Sequence, residues 1–122
     1  MNQPFQAAIR QINDTVIIDL QGEINALANQ ELQMVYDQAE ELITHTILLN
    51  FKNVSYINST GIAIIVSLLT KARQSQHKMA ACGLSDHYME IFDITRLSDY
   101  IKVYVDESSA LLELKSEINQ QL

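Results

Sequence analysis

The chain has one cysteine, three glycines and eight Lys and Arg residues against fifteen Asp and Glu. A lone thiol, Cys82, leaves no internal disulfide framework and fits a reducing compartment. With so few glycines there is no glycine-rich loop of the Walker type, which argues against ATP hydrolysis. The formal charge of −7 would repel the phosphates of a nucleic acid, so direct binding of nucleic acid is not expected. The longest apolar run, Gly61 to Val66, is far too short to span a bilayer. The start, Met1-Asn2-Gln3-Pro4-Phe5, lacks the basic and apolar regions of a secretion signal. The expected setting is cytoplasmic, away from membranes.

What is present is enough for a core. At 122 residues, 48% of them hydrophobic, residues 1–122 are expected to form one ordered domain. Phe5, Ala7 and Ile9 alternate with Gln6, Ala8 and Arg10, Asn13-Asp14 supplies turn chemistry, and Val16, Ile18 and Leu20 resume the alternation. This pattern predicts a β-hairpin ending at Gly22. From Leu27 the period changes, and Leu32, Val35, Ala39 and Leu42 predict one apolar helix face. Thr46 to Phe51 is a short apolar run suited to an interior strand.

A seven-residue connection, Lys52 to Asn58, is then expected to lead to a helix starting near Thr60. Its inward residues would be Ile62, Ile65, Val66, Leu69 and Ala72. Met79 to Cys82 is long enough for another strand, which would make 46 to 82 a right-handed crossover between parallel strands. Ser85 or Asp86 is placed to cap a third helix through about Leu97. Ile101, Val103 and Val105 alternate as a final strand. Asp106 is placed to cap a last helix striped with Leu111, Leu114, Ile118 and Leu122. The order predicts a single α/β domain: a mixed sheet, antiparallel in its N-terminal hairpin and parallel beyond, packed against about four helices.

The candidate site is Asn58-Ser59-Thr60-Gly61, two hydroxyls and a glycine at a helix start past the carboxyl end of a parallel strand. Exposed amides and the positive end of the helix dipole favour an oxygen anion there, making a hydroxyl on that corner a phosphate acceptor. An enzyme using Ser59 as nucleophile would need a base. No histidine is near in sequence, and the Gly-x-Ser-x-Gly elbow is absent. A receiver domain would want acidic residues where Arg10-Gln11 and Asn50-Phe51 stand. His45, His77 and His87 lack ligand spacing, so no metal and no cofactor is expected, and the three are expected at the surface.

Three segments resemble the STAS domain, the module of anti-sigma-factor antagonists and of the cytoplasmic ends of sulfate transporters. Leu20-Gln21-Gly22-Glu23-Ile24-Asn25 resembles its Leu-x-Gly-Glu-Leu-Asp, and Asn58-Ser59-Thr60-Gly61 its Asp-Ser-Ser/Thr-Gly. Phe92-Asp93-Ile94-Thr95-Arg96-Leu97 resembles its Phe-Asp-x-Ser/Thr-x-Leu. With no transporter region ahead of it, the chain resembles the free-standing bacterial antagonists. The resemblance implies a non-enzymatic partner switch. An unphosphorylated antagonist binds an anti-sigma factor that is also a serine/threonine kinase, phosphorylation releases it, and a PP2C-type phosphatase restores binding.

Carried over by position, the resemblance makes Ser59 the phosphorylated residue, with Thr60 a minor acceptor. It places Glu23, Asn25, Asn58, Ser59, Thr60, Gly61 and Ile62 at the partner contact, with Glu23 and Asn25 on the loop after the second strand. Gly61 is expected to let a partner backbone come close. Asn25 and Asn58 stand where the family usually has a carboxylate. The alternative is a scaffold or small-ligand module of the same fold that phosphorylation does not control. Neither reading specifies an oligomeric state.

Overall fold

The computed structural model describes residues 4–42 and 45–120, with side chains described as far as residue 115. Five strands form one sheet in the order β1-β2-β3-β4-β5. They are β1 (Gln6–Ile12), β2 (Thr15–Ile24), β3 (Thr46–Ile57), β4 (Lys78–Cys82) and β5 (Lys102–Tyr104). β1 and β2 pair antiparallel, and every later pairing is parallel. The helices are α1 (Asn29–Leu42), α2 (Ser59–Gln74), α3 (Asp86–Ile94) and α4 (Glu107–Gln120). This is the α/β architecture that the residue patterns predict.

Strand periodicity divides the core into two layers. Val16, Ile18 and Leu20 of β2, with Ile47, Leu49 and Phe51 of β3, face the layer filled by α1, α2 and α3. The alternate residues Ile17, Leu48, Ala80 and Cys82 face Tyr104, Ala110 and Leu114 on the side of α4. Phe92 of α3 meets Phe51 edge-on, with ring centroids 6.0 Å apart. The tight turn between β1 and β2 places Asn13 in the left-handed region, φ 54°, which asparagine tolerates better than most residues.

Several boundaries differ from those the sequence predicts. β2 runs on to Ile24, past Gly22, and β3 continues through Ile57, so most of the expected connection from Lys52 is strand. The extension pairs only with β2, through irregular register steps between Asp19 and Gln21 and between Gly22 and Glu23. β4 leaves β3 at the pair Asn50–Cys82. With one neighbouring strand missing, this stretch exposes most of its residues, carries polar side chains and lacks the apolar signal of a buried strand.

On α2 the buried residues are Gly61, Ile64, Ile65, Leu68, Leu69 and Ala72, so Val66 faces outward and Ile62 is half-buried. α3 stops at Ile94, because Arg96 takes a left-handed φ of 65° ahead of a short 3-10 turn at Leu97–Asp99. Val105 is 75% exposed and lies beyond β5. Leu42 is also exposed, at the very end of α1, and His45 and His77 are half-buried. In the last helix Leu114 is buried and Leu111 half-buried. The side chain of Ile118 and all of Leu122 lie outside the described residues.

Candidate functional site

Strands β2 and β3 end side by side, Glu23 opposite Tyr56 and Ile24 opposite Ile57. Each strand is followed at once by an asparagine in extended conformation that caps what comes next. Asn25 Oδ1 accepts from the Leu27 amide at 2.9 Å and opens a 3-10 turn, Ala26–Ala28. Asn58 Oδ1 accepts from the Gly61 amide at 2.8 Å and opens α2. The two capped corners are tied together by the Asn58 amide, which donates to the Ile24 carbonyl at 3.2 Å. From the other side, Tyr88 of α3 holds the end of β3: its hydroxyl accepts from the Ile57 amide at 2.8 Å and donates to the Ile57 carbonyl.

Ser59 and Thr60, the first two residues of α2, are both exposed. Among the described residues no hydrogen bond engages the Ser59 hydroxyl. The first turn of α2 carries no acidic side chain. The Asn58 and Gly61 amides are already engaged, and the Ile62 amide donates to the Asn58 carbonyl at 3.0 Å. That leaves the Ser59 and Thr60 amides as the first-turn donors able to meet an anion. The Ser59 hydroxyl is thus exposed and takes no part in the cap, which is made by Asn58 Oδ1 and the Gly61 amide.

Gly61 has a different role from the one expected of it. It is buried, and a β-carbon built on it would overlap the Ile24 carbonyl and lie 2.8 Å from Ile57 Cγ2. The missing side chain admits the end of the domain's own β2 strand, and no space remains there for a partner backbone. Glu23 lies within β2 and only Asn25 follows the strand, which corrects the loop expected for both. Both side chains are half-buried, and Asn25 Nδ2 donates to Glu23 Oε2 at 3.5 Å. An aspartate at 25 would have no such donor, so the amide joins what would otherwise be two repelling carboxylates.

Two residues of the corner have no counterpart among the sequence-level candidates. Leu27, in the 3-10 turn that packs on α2, is 91% exposed, and Tyr56, opposite Glu23, is 51% exposed. With outward-facing Val66 of α2 they put apolar surface on the elements that flank Ser59. Leu27 carried no signal of its own, since one leucine after a turn residue fits a helix start equally well. Tyr56 was hidden by the misplaced end of β3.

Comparison with known proteins covers most of the chain. The family model for the STAS domain matches residues 6–110. An anti-sigma-B factor antagonist of Staphylococcus epidermidis is 31% identical over 91 residues, covering 75% of this chain and 84% of the relative. Among solved structures, an anti-sigma factor antagonist from Mycobacterium paratuberculosis superposes with a TM-score of 0.80 at 13% identity, over 94% of this chain and 99% of that one. The Bacillus cell fate determinant SpoIIAA in its phosphorylated form superposes with a TM-score of 0.68 at 20% identity, over 91% of this chain and 99% of that one.

Proposed function

The chain belongs to the STAS domain family, and we propose that it is an anti-sigma factor antagonist whose partner binding is switched by phosphorylation of Ser59. The observation that carries this reading is the exposed, unengaged hydroxyl of Ser59 at the start of α2, flanked by apolar surface. The partner is an anti-sigma factor that also acts as a serine/threonine kinase, and a PP2C-type phosphatase resets the switch. Thr60 is a minor acceptor at most. The chain itself binds, and the chemistry belongs to its partners.

The physical logic is a change of fit with no change of fold. A phosphate on Ser59 adds about −1.5 to −2 charges and three strong acceptor oxygens. The Ser59 and Thr60 amides and the dipole of a 16-residue helix tolerate that anion within the free domain. A partner packed on Leu27, Tyr56 and Val66 would have to bury it, together with the nearby carboxylate of Glu23. Desolvating an uncompensated charge in such a contact is costly. The Bacillus neighbour of the same fold has been seen in a phosphorylated form, which supports the tolerance half of the argument.

The test is to incubate the protein with candidate anti-sigma kinases and ATP and to map the phosphate by mass spectrometry. Partner affinity is then measured for wild type, Ser59→Ala, Ser59→Asp and the phosphorylated protein. Alanine should keep binding, and aspartate should lose about 1–3 kcal/mol. The phosphoprotein should lose at least as much. Equal affinity of all four forms would remove the switch and leave a constitutive scaffold of the same fold.

A further inference from the structure

The two edges of the sheet differ in how they are protected. β5 is three residues long, carries Lys102 and pairs with β4 alone. β1, at the other edge, is seven residues long and pairs with β2 alone, from Gln6–Gln21 to Ile12–Thr15, with no register step. It contains no proline, lysine or bulge, the usual devices that keep an edge strand from meeting another chain. Its one charge, Arg10, is held within the protein by Asp19 and Glu107.

The hairpin fixes which backbone groups face outward. Ile12 and Thr15 pair across a two-residue turn and so form a hydrogen-bonded pair, because a wide pair there would require a bond between the adjacent residues Asn13 and Asp14. Alternation then directs the amides and carbonyls of Gln6, Ala8, Arg10 and Ile12 toward β2. Those of Ala7, Ile9 and Gln11 point away from it, and among the described residues no interaction engages them. These donors and acceptors line an edge about 24 Å long at ~3.4 Å per residue. Ala7 and Ile9 also pack against the α1 layer and remain only half-buried where the sheet ends.

We propose that β1 is the seam of a weak two-fold dimer, in which two copies of this chain pair antiparallel and join their sheets edge to edge. The occupant is a second copy because the edge complements itself. With Ile9 on the axis, the whole of Gln6–Ile12 overlaps its twin and every outward donor meets an outward acceptor. Ala7 bonds to Gln11 of the second copy, and Ile9 bonds to its own counterpart. Arg10 then stands opposite Ala8, so no like charges face each other across the seam. Centring the pair on Arg10 would oppose the two guanidiniums. A seam of one strand is small, which makes the association weak and dependent on concentration. Ser59 follows β3, two strands in from the edge, so the dimer leaves both Ser59 corners open and is independent of the switch proposed above.

The test is sedimentation velocity between about 5 μM and about 1 mM protein, with amide hydrogen exchange at both ends of that range. The protein should pass from monomer to dimer, and the Ala7, Ile9 and Gln11 amides should exchange at least about threefold more slowly in the concentrated sample. Gln11→Pro removes an outward donor at an exposed position and leaves the bonds to β2 intact. It should weaken the dimer at least about tenfold, with the melting temperature near wild type. Should that variant fail to fold, Ala8→Lys decides, because it sets a second cation opposite Arg10 of the other copy from an exposed position and should weaken the dimer likewise. Ser59→Asp should dimerise as the wild type does, which keeps this result separate from that of the switch. The proposal is overturned if the protein stays monomeric at about 1 mM, which would leave the edge to a strand of another protein or to none. It is equally overturned if a dimer forms without protecting those three amides, if a folded Gln11→Pro or Ala8→Lys dimerises as well as the wild type, or if Ser59→Asp abolishes the dimer.

Discussion

Gly61 is seated on the carbonyl of Ile24, so closely that no β-carbon fits between the end of β2 and the first turn of α2. This contact sets where the Ser59 corner stands relative to Glu23 and Leu27. Gly61→Ala should therefore destabilise the domain by about 1–3 kcal/mol through overpacking, measured by chemical denaturation. It should also weaken partner binding beyond what the stability loss explains. Wild-type stability in this variant would mean the corner is not held by that contact.

The cap at Asn58 yields a separate expectation. Asn58→Ala should cost about 1 kcal/mol, because the Gly61 amide loses its acceptor. Asn58→Asp should retain the cap and add a few tenths to about 1 kcal/mol through the helix dipole. Denaturation of the three proteins in low salt compares them directly.

Leu27 separates binding from folding. A leucine this exposed contributes little to the core, so Leu27→Ala should change stability by no more than about 0.5 kcal/mol. Its affinity for the anti-sigma partner should fall by about 1–2 kcal/mol if it fills a pocket there. Calorimetric titration against the identified kinase measures the second number, and an unchanged affinity would place Leu27 outside the contact.

Arg10 on β1 links two elements, pairing with Asp19 of β2 and with Glu107 at the start of α4. Hydrogen bonding from Arg10, reinforced by Asn50 Nδ2 at 2.8 Å, holds the Asp19 carboxyl below its usual pKa. A carboxylate depressed in this way stabilises the fold above its unfolded pKa of about 3.9, and the contribution disappears as pH falls through the lower folded value. Because the pair is largely solvent-screened, Asp19→Asn should cost no more than about 1 kcal/mol at pH 7. The gap between mutant and wild type should narrow as pH falls below about 3.9 and close once the pH passes below the depressed folded pKa, in acid denaturation series. A gap independent of pH would rule out the ionic origin.

Cys82 lies fully buried at the end of β4, and burial, with Glu107 and Asp19 adding to it, pushes its thiol up to about 11. Only the thiolate reacts with disulfide reagents. Labelling at pH 8 should accordingly be slow in the native protein and complete at once in denaturant. Its rate should track global or local opening as denaturant is added. Rapid native labelling would contradict the burial.

The periodicities that mark β2, α1 and the first half of β3 are strong because each element is covered by others and must hide one or both faces. Lys52–Ile57 left no such mark, since β4 ends early and the stretch has a neighbour on one edge only. On α2, Val66 exchanged places with Ile64 and Leu68 because nearly every position there is apolar, so the composition does not reveal which side faces the sheet. The short motifs singled out Asn58 to Gly61 and the residues around Glu23, but not the reason for the glycine.

Residue order and apolar spacing determined the mixed α/β architecture and the hydroxyl at a helix start, because these depend on local periodicity and short-range chemistry, while the family was legible only through the resemblance of three short motifs. Only the tertiary structure decided that Gly61 serves the domain's own β2, that Leu27 and Tyr56 border the corner, and that β1 stands at the edge of the sheet. Those facts depend on which chain segments, distant in sequence, are brought within van der Waals reach, and no local pattern encodes that.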